Sequence, residues 1–195
     1  MGPEDWNARY EADGLVWSAT PNRLLVEQVA GLRTGRALDL AAGEGRNALW
    51  LAAEGWQVTA VDFAAVGLDK GRHRAATLGL EVTWIEADVR RWLAPPASFD
   101  LVVMLYLQLP AAELREALMG AGFALGPGGT LIVIGHDVRN LDEGVGGPKE
   151  RDVLLDPAEV AAVLRGLEIE RAETVERPTD EGVALDTLVR ARAVA

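Results

Sequence analysis

The sequence predicts an α/β protein with a doubly wound, mainly parallel sheet of seven strands that ends in an antiparallel hairpin. Two observations support this class. Short apolar segments alternate with segments of helical periodicity along the middle of the chain, which is the pattern of strands joined by right-handed helical crossovers. The C-terminal part carries two longer strand-like segments separated by a short polar connection, 177–182, which favours an antiparallel pair.

The individual elements follow from this alternation. The predicted strands are 37–41, 56–61, 82–86, 99–105, 130–135, 167–175 and 183–193, and the predicted helices between them are 47–54, 66–78, 111–125 and 157–164. Glycines in 126–129 predict a tight turn before the fifth strand, and the alternating pattern of the last strand predicts one exposed face. Residues 4–12 and 21–32 are predicted helices. They precede the first strand, so we expect residues 1–33 to form a helical cap within the same domain as 34–195.

Composition narrows the classes of function. The chain has 195 residues and no cysteine, which excludes disulfides, thiolate metal ligands and a cysteine nucleophile. Its formal net charge of −11 is spread along the sequence, so nucleic acid and anionic membranes are not expected as partners. No signal peptide is evident, and no apolar run approaches the ~20 residues of a membrane-spanning helix, so a cytoplasmic location is predicted. Composition gives no indication of the oligomeric state.

A glycine-bearing turn between the first strand and the first crossover helix is the most informative motif. It reads Asp39-Leu40-Ala41-Ala42-Gly43-Glu44-Gly45-Arg46-Asn47-Ala48. Gly43 and Gly45 lack a Cβ atom, so the backbone can turn sharply and a ligand can approach it closely. Asp62 follows Gly43 by 19 residues, at the end of the next strand. In a doubly wound sheet both positions lie at the carboxyl edge, where a carboxylate can bind the two hydroxyls of a ribose.

Two nucleotide cofactors fit this arrangement. Gly43-x-Gly45-x-x-Ala48 satisfies the dinucleotide fingerprint of NAD(P) enzymes. Three features favour S-adenosylmethionine instead. Asp39 precedes the turn, where an anion suits an ammonium group better than a pyrophosphate, and the short chain leaves little room for a separate substrate domain. Asp88, at the end of the third strand, is placed to accept a hydrogen bond from an adenine amino group.

From residue 36 to residue 135 the sequence resembles the class I S-adenosylmethionine-dependent methyltransferases of small-molecule type. Asp39-x-Ala41-x-Gly43-x-Gly45 is similar to the first motif of that family, with alanine in place of its first glycine, a mild departure. The run Phe99-Asp100-Leu101-Val102-Val103 resembles the family's fourth strand, and 126–129 resembles its turn before the fifth. The N-terminal aromatic residues are loosely similar to the cap of the small thiopurine- and tellurite-type members.

The resemblance implies S-adenosylmethionine as the cofactor and assigns its contacts. Asp39 and the glycine turn would hold the methionine part, and Asp62 would hold the ribose. Phe63 would pack on the adenine, and Asp88 with the Val89 amide would bind the adenine edge. The full set implied for the cofactor is Asp39, Ala41, Gly43, Gly45, Asn47, Asp62, Phe63, Asp88, Val89 and Leu105, with Arg9 and Trp17 from the cap.

The residues that follow the fourth and fifth strands are the candidates for the methyl acceptor. Methyl transfer from a sulfonium needs alignment and exclusion of water, and a general base only when the acceptor is protonated at neutral pH. Tyr106 and Gln108 follow the fourth strand, and His136 and Asp137 follow the fifth; His136 and Tyr106 are the catalytic candidates. No metal is expected, because His136 and Asp137 alone make a poor site. The loop 137–156 is long enough for a lid, and equally suits a passive surface loop.

The sequence therefore favours an enzyme that methylates an O, N or S atom of a small molecule. A nicotinamide-dependent oxidoreductase that uses the same glycine turn stays open, although the sequence has no evident lysine or tyrosine constellation for that chemistry. A protein that binds the adenosyl cofactor without catalysis also stays open, because methyl transfer leaves little trace in residue types.

Overall fold

The computed structural model describes residues 1–194, which form a seven-stranded sheet flanked by helices. The strands are β1 Arg36–Leu40, β2 Gln57–Asp62, β3 Val82–Glu86, β4 Phe99–Leu105, β5 Leu125–His136, β6 Glu168–Thr179 and β7 Gly182–Arg192. The helices are α1 Pro3–Tyr10, α2 Arg23–Val29, α3 Arg46–Ala53, α4 Ala65–Leu78, α5 Ala111–Ala124, α6 Asn140–Glu143 and α7 Pro157–Val163, with a 3-10 turn at Arg151–Val153. The strand order is β3-β2-β1-β4-β5-β7-β6, which confirms the predicted fold class.

The strand order opens a crevice at the carboxyl ends of β1 and β4. The chain proceeds outward from β1 through β2 to β3, and β4 then pairs with the other side of β1, all in the parallel sense. Ligands of doubly wound sheets bind where the order reverses in this way, outside the carboxyl ends of the strands. The segments that follow Leu40, Asp62 and Leu105 therefore open onto the same edge of the sheet.

The C-terminal hairpin completes the sheet beyond β5. β7 lies between β5 and β6 and pairs with both in the antiparallel sense. Only two residues, Asp180 and Glu181, separate β6 from β7, so the connection is shorter than predicted. Because β7 is an inner strand, its residues from Ala184 to Val189 are all buried, and the prediction of one exposed face was wrong. The β5–β7 register sets His136 opposite Asp186.

Apolar side chains fill both faces of the sheet, and β4 contributes to both. Leu101 and Val103 belong to the cluster against α2 and α3, while Val102 and Met104 belong to the cluster against α5 and α7. All of them are at most 1 % exposed. Burial of each such side chain stabilises the fold by about 1.5–3 kcal/mol, which explains why this strand is a continuous apolar run instead of an alternating one.

The structure differs from the sequence prediction at the start of β5. α5 leads directly into β5 at Leu125, so 126–129 belong to the strand and do not form a separate tight turn. Leu125 pairs with Phe99 and Thr130 pairs with Leu101, so four residues, 126–129, stand opposite Asp100 alone. Gly128 has a φ of +72°, which glycine adopts without strain. The glycines therefore allow an irregular bulge inside a long strand.

The N-terminal helices are shorter than predicted and lie on different parts of the molecule. α1 lies against α4, and α2 lies against β5. The irregular segment between them, 11–22, passes over the glycine turn through contacts described below. No helix within residues 1–194 has both the length and the apolar character needed to cross a membrane.

Candidate cofactor and acceptor site

The glycine turn and Asp62 lie together at the carboxyl edge of β1 and β2. The Gly43 N–H donates a hydrogen bond of 2.8 Å to Asp62 Oδ2, and the Ala64 N–H donates one of 2.8 Å to Oδ1. Gly43 and Gly45 have φ angles of +55° and +74°, which favour glycine. Burial raises the pKa of Asp62, and the backbone N–H groups oppose that rise. A carboxylate has about four acceptor positions, so Asp62 keeps capacity for ribose hydroxyls.

Asp39 lies near the end of β1, just before the glycine turn, and is 1 % exposed. Its Oδ2 atom has no hydrogen-bond partner within residues 1–194. Burial raises the pKa of Asp39 to about 7, the negative charge of Asp62 adds to the rise, and Arg46 opposes it. A buried carboxylate without a close counter-ion is costly, so a cationic ligand is favoured here. The ammonium group of an amino acid, such as the methionine end of S-adenosylmethionine, has the required charge and donors.

Ala41 occupies the position at which the similar family motif has its first glycine. Its φ is +61°, in the left-handed region. A residue with a Cβ is strained there by roughly 1–2 kcal/mol. The next residue continues the turn, with the Ala42 N–H donating to the Val61 carbonyl oxygen at 3.1 Å. Alanine in place of the first glycine of the family motif is a mild change by size. In the structure, however, it is a strained residue within the turn.

An aromatic cluster of Trp6, Tyr10 and Trp17 covers the glycine turn. A Cβ placed on Gly43 would lie 2.7 Å from the Tyr10 hydroxyl oxygen, so the ring sits directly against the turn. Trp17 Nε1 donates to that hydroxyl at 3.4 Å, and the Arg9 guanidinium lies 5.1 Å from the centre of the Trp17 ring. Burial raises the Tyr10 pKa to about 12, which keeps the hydroxyl protonated. Tyr10, absent from the predicted set of cofactor residues, thus joins Arg9 and Trp17 to the turn.

Glu44, between the two glycines, fastens the cap to the turn. It is 2 % exposed and accepts hydrogen bonds from the Val16 and Trp17 N–H groups at 3.0 and 3.1 Å. Lys70 Nζ, on α4, lies 3.4 Å from Glu44 Oε1 and also donates to the carbonyl oxygens of residues 12 and 14. Sequence reasoning missed Glu44, and an acid between two glycines was the only signal that could have indicated it.

The other residues implied for the cofactor have different environments. Val89 is buried beyond the end of β3, and Leu105 is buried at the end of β4. Phe63 is half-buried directly after β2. Asn47 is buried, and its Oδ1 accepts a hydrogen bond of 2.9 Å from the Asn22 N–H. In this structure Asn47 therefore binds the cap to α3.

Asp88, predicted to bind the adenine edge, is already paired with a neighbour. Arg90 Nε lies 2.8 and 2.9 Å from the two carboxylate oxygens, and the Arg90 N–H adds a bond of 3.0 Å. The hydrogen bond from the Arg90 side chain lowers the Asp88 pKa. Arg90 Nη1 also donates to Glu113 Oε2 at 2.7 Å. An adenine amino group would have to share this carboxylate with Arg90 or displace it.

The predicted acceptor side of the crevice contains a cluster in which three half-buried side chains, Tyr106, His136 and Arg177, surround the buried Asp186. Asp186 is fully buried and accepts hydrogen bonds from the Tyr106 hydroxyl at 2.7 Å and from Arg177 Nε at 2.6 Å. His136 Nδ1 lies 3.5 Å from Asp186 Oδ1, at the outer limit of a hydrogen bond. Burial tends to raise the Asp186 pKa, but the donors from His136, Arg177 and Tyr106 outweigh it and lower the pKa. Asp186 is therefore an anion at the centre of the cluster.

Tyr106 has a strained backbone at the end of β4. Its φ is +55°, which is unusual for a bulky residue and is typically retained at functional sites. The Tyr106 N–H donates to the Ile134 carbonyl oxygen at 2.7 Å, and Asn22 Nδ2 donates to the hydroxyl at 3.3 Å. Burial raises the Tyr106 pKa above its ordinary value of 10, so the hydroxyl serves as a hydrogen-bond donor. Arg177 and Asp186 were not predicted as site residues, because the sequence of the C-terminal hairpin indicates two strands and gives no sign of a functional role.

Asp137 and the loop after it are held by internal hydrogen bonds. Asp137 is fully buried, and its Oδ2 accepts from the Thr174 and Thr187 hydroxyls at 2.9 and 2.7 Å. Asn140 Oδ1 accepts from the Leu185 N–H at 2.7 Å, which ties the loop 137–156 to β7. Gln108 is half-buried beyond β4. Within residues 1–194, no cluster of three or more histidine or acidic side chains could hold a metal ion.

Comparison with known proteins identifies the family. Residues 37–129 match a family model described as a methyltransferase domain. The chain is 39 % identical over 101 residues to demethylmenaquinone methyltransferase from Thermus thermophilus, which covers 51 % of this chain and 46 % of that protein. It is 32 % identical over 142 residues to an uncharacterized methyltransferase from Mycobacterium tuberculosis, which covers 73 % of this chain and 66 % of that protein. The chain thus spans about half to two thirds of the length of these relatives.

The fold agrees with this match. A crystal structure of an S-adenosylmethionine-dependent methyltransferase from Methanosarcina mazei superposes with a TM-score of 0.71 at 17 % identity, over 90 % of this chain and 99 % of that one. Residues 37–129 thus form a methyltransferase domain, and the fold is that of class I S-adenosylmethionine-dependent methyltransferases. The matched domain family favours S-adenosylmethionine over a dinucleotide at the glycine turn. The unpartnered Asp39 oxygen fits that cofactor.

Proposed function

We propose that this methyltransferase transfers the methyl group of S-adenosylmethionine to an O, N or S atom of a small molecule. The observation that carries the proposal is the buried, unpartnered Asp39 Oδ2 beside a glycine turn that is hydrogen-bonded to Asp62. Two buried carboxylates at this edge oppose a pyrophosphate and favour a cationic ligand. The relative that acts on demethylmenaquinone supports a small acceptor, and the net charge of −11 disfavours a nucleic acid.

The residues at the glycine turn bind and orient the cofactor in this proposal. Asp39 accepts hydrogen bonds from its ammonium group, and Asp62 accepts them from its ribose hydroxyls. Phe63 packs on the adenine, and Asp88 binds its edge after rearrangement of the Arg90 pair. Tyr10 and the rest of the cap cover the methionine end and exclude water. The bound cofactor supplies a methyl group on a sulfonium, which is already activated for transfer.

His136 is the residue placed to take a proton from the acceptor. Asp186 faces Nδ1 at 3.5 Å, which favours the proton on Nδ1 and leaves Nε2 free to accept another. Asp186 also stabilises the imidazolium that would form. Tyr106 is unsuited as a base, because burial raises the pKa of its hydroxyl and the hydroxyl donates to Asp186. Tyr106 instead positions Asp186 and borders the acceptor.

Binding and transfer experiments test the two parts of the proposal. Titration calorimetry should find one site for S-adenosylhomocysteine and none for NADH. Incubation with methyl-labelled S-adenosylmethionine and a metabolite extract should yield a labelled small molecule. Absence of S-adenosylhomocysteine binding at millimolar ligand would overturn the cofactor assignment, and binding without any labelled product would favour the non-catalytic alternative. A cytoplasmic location and a single domain that includes residues 1–33 stay predictions from the sequence.

A further inference from the structure

We propose that Gly147 positions His136 for the methyl acceptor. The backbone of Gly147 packs on the imidazole, keeps Nδ1 beside Asp186 and leaves Nε2 for the acceptor. The inference rests on the proposed role of His136 as the proton acceptor, and it assigns the loop 137–156 to the wall of the acceptor site. Gly147 lies in the middle of that loop.

Gly147 lies over one face of the imidazole ring. A Cβ atom built on Gly147 would be 3.0 Å from His136 Nδ1, 3.1 Å from Cγ and 3.2 Å from Cε1. Because these distances are nearly equal, the position is above the ring; a position in the ring plane beyond Nδ1 would be much farther from the two carbon atoms. Carbon atoms in contact are normally about 3.5–4.0 Å apart, so a side chain at 147 would displace the imidazole. The φ of +72° also favours glycine at this position.

The other contacts of His136 do not hold the ring by themselves. Nδ1 is buried and lies 3.5 Å from Asp186 Oδ1, at the outer limit of a hydrogen bond. The Tyr106 ring is tilted by 57° from the imidazole, and the two ring centres are 5.0 Å apart. The His136 side chain is 16 % exposed, and Nε2 is not among the three ring atoms nearest to Gly147. Packing by Gly147 therefore supplies a restraint that the long Asp186 contact lacks.

The loop segment next to the imidazole is tied to β7, the strand that carries Asp186. Asn140 is 1 % exposed, and its Oδ1 accepts a hydrogen bond of 2.7 Å from the Leu185 N–H. Its Nδ2 donates to the Val145 carbonyl oxygen at 3.3 Å. The Val145 N–H donates in turn to a carbonyl oxygen of β7 at 3.1 Å. One strand thus anchors both this loop segment and the carboxylate that faces Nδ1.

A fixed imidazole matters for proton transfer, because a general base must come within hydrogen-bond distance of the proton that it takes. A ring that is free to turn would also lose the Asp186 contact that favours the proton on Nδ1. A displaced base should therefore lower the rate of transfer. It should leave cofactor affinity unchanged, because the proposed cofactor residues Asp39 and Asp62 belong to β1 and β2.

Nuclear magnetic resonance of the protein labelled with ¹⁵N-histidine tests the proposal without an acceptor. The chain has two histidines, so the exposed His73 serves as an internal reference. At about pH 9, where an ordinary imidazole is neutral, the wild type should show the His136 proton on Nδ1. In Gly147→Ala the ring nitrogen shifts of His136 should move toward those of His73, because the added methyl group displaces the ring from Asp186.

Gly146→Ala is the matched control. Gly146 has a φ of +66°, so this variant carries similar backbone strain, but a Cβ there meets no atom within 4 Å beyond its chain neighbours. The Gly146 carbonyl oxygen, which accepts from Asn140 Nδ2 at 3.0 Å, is retained. The control should therefore keep the wild-type His136 signals. Equal His136 signals in the wild type and Gly147→Ala, equal changes in both variants, or wild-type signals that match those of His73 would overturn the proposal.

Transfer of label from methyl-labelled S-adenosylmethionine into the metabolite extract gives a second readout. The rate should be at least about tenfold lower in Gly147→Ala than in Gly146→Ala, while both variants bind S-adenosylhomocysteine within about threefold of the wild-type affinity. Equal rates in the two variants would overturn the positioning role of Gly147. Absence of S-adenosylhomocysteine binding or of labelled product in the wild type would instead overturn the proposed function itself.

Discussion

The proposed cofactor side and the proposed acceptor side of the crevice are built in different ways. The cofactor side comes from one stretch of sequence, the turn after β1 and Asp62, which is 19 residues beyond Gly43. The acceptor side brings together Tyr106, His136 and Asp186, and the tyrosine and the aspartate are 80 positions apart. Backbone conformation determines the geometry of the cofactor side, and the pairing of β5 with β7 determines the geometry of the acceptor side. A shared cofactor can thus be held by a short motif while the acceptor pocket varies independently.

The two buried carboxylates of these regions show the same contrast. Asp39 has an oxygen without a partner, and burial raises its pKa to about 7. Asp186 is as deeply buried, but the side chains of Tyr106 and Arg177 donate hydrogen bonds to it, and its pKa is lowered. Asp39 can therefore bind a cation from outside the chain. Asp186 already has hydrogen-bond donors within the chain, and it holds those side chains in position.

The largest effect that separates the two sides is expected from His136→Gln. For an acceptor that is protonated at neutral pH, this change should lower kcat by about 10²- to 10⁴-fold, because glutamine cannot take the proton. The dissociation constant of S-adenosylhomocysteine should change by less than about threefold. His73→Gln, on the exposed face of α4, is the matched control and should leave both unchanged. A parallel loss of cofactor affinity in His136→Gln would mean that the sides are not separate.

Asp62→Ala should act on the cofactor side alone. Loss of the ribose contacts is expected to weaken S-adenosylhomocysteine binding by about 1–3 kcal/mol in titration calorimetry. Asp100→Ala is the control, since Asp100 Oδ2 accepts a backbone hydrogen bond of 2.7 Å from Arg36 at the opposite edge of the sheet. Equal affinities in wild type and Asp62→Ala would refute the ribose assignment.

Glu44→Gln should loosen the connection between the cap and the turn. The amides of Val16 and Trp17 are expected to exchange hydrogen faster, because they lose a charged acceptor, and cofactor affinity should fall by about tenfold. Hydrogen exchange followed by mass spectrometry and calorimetry measure the two effects. Glu86→Gln, at an exposed position of β3, serves as the control. Unchanged exchange in Glu44→Gln would show that the cap is held by other contacts.

The smallest effect is expected from Ala41→Gly, which removes the strain within the turn. The change relieves the left-handed strain, and the greater conformational entropy of glycine in the unfolded chain offsets part of that gain. The free energy of unfolding, measured with denaturant, should therefore rise by about 1 kcal/mol. Ala42→Gly, one position along and outside the positive-φ region, should instead destabilise it by about 0.5–1 kcal/mol. A loss of stability in Ala41→Gly would contradict the strain assigned to this residue.

The limits of sequence reasoning depend on whether the residues in contact are close together or far apart in the chain. Alternation of strands and helices sufficed to place Asp62, Tyr106 and His136 at one edge, because parallel strands all end there. Glu44 was missed because its partner Val16 is 28 positions away, and Asp186 because its strand is an inner one covered by β6. Periodicity describes a segment's own faces, and it does not say which side chains meet after long-range pairing.

The pH dependence of cofactor binding tests the central claim, that Asp39 receives the cofactor ammonium. Below its pKa of about 7 this carboxyl is neutral and loses its attraction for a cation. The same raised pKa means that the ionised form costs folding energy, so wild type should lose stability relative to Asp39→Asn as pH rises from about 4 to 7. The variant should therefore be at least as stable at about pH 8, and any loss of binding there reflects the site.

We therefore expect wild-type affinity for S-adenosylhomocysteine to be constant above pH 7 and to fall by about tenfold for each pH unit below it. Asp39→Asn should bind weakly at every pH, without that slope. Equal dissociation constants for the wild type at about pH 6 and pH 8, or tight binding by Asp39→Asn, would contradict the assignment.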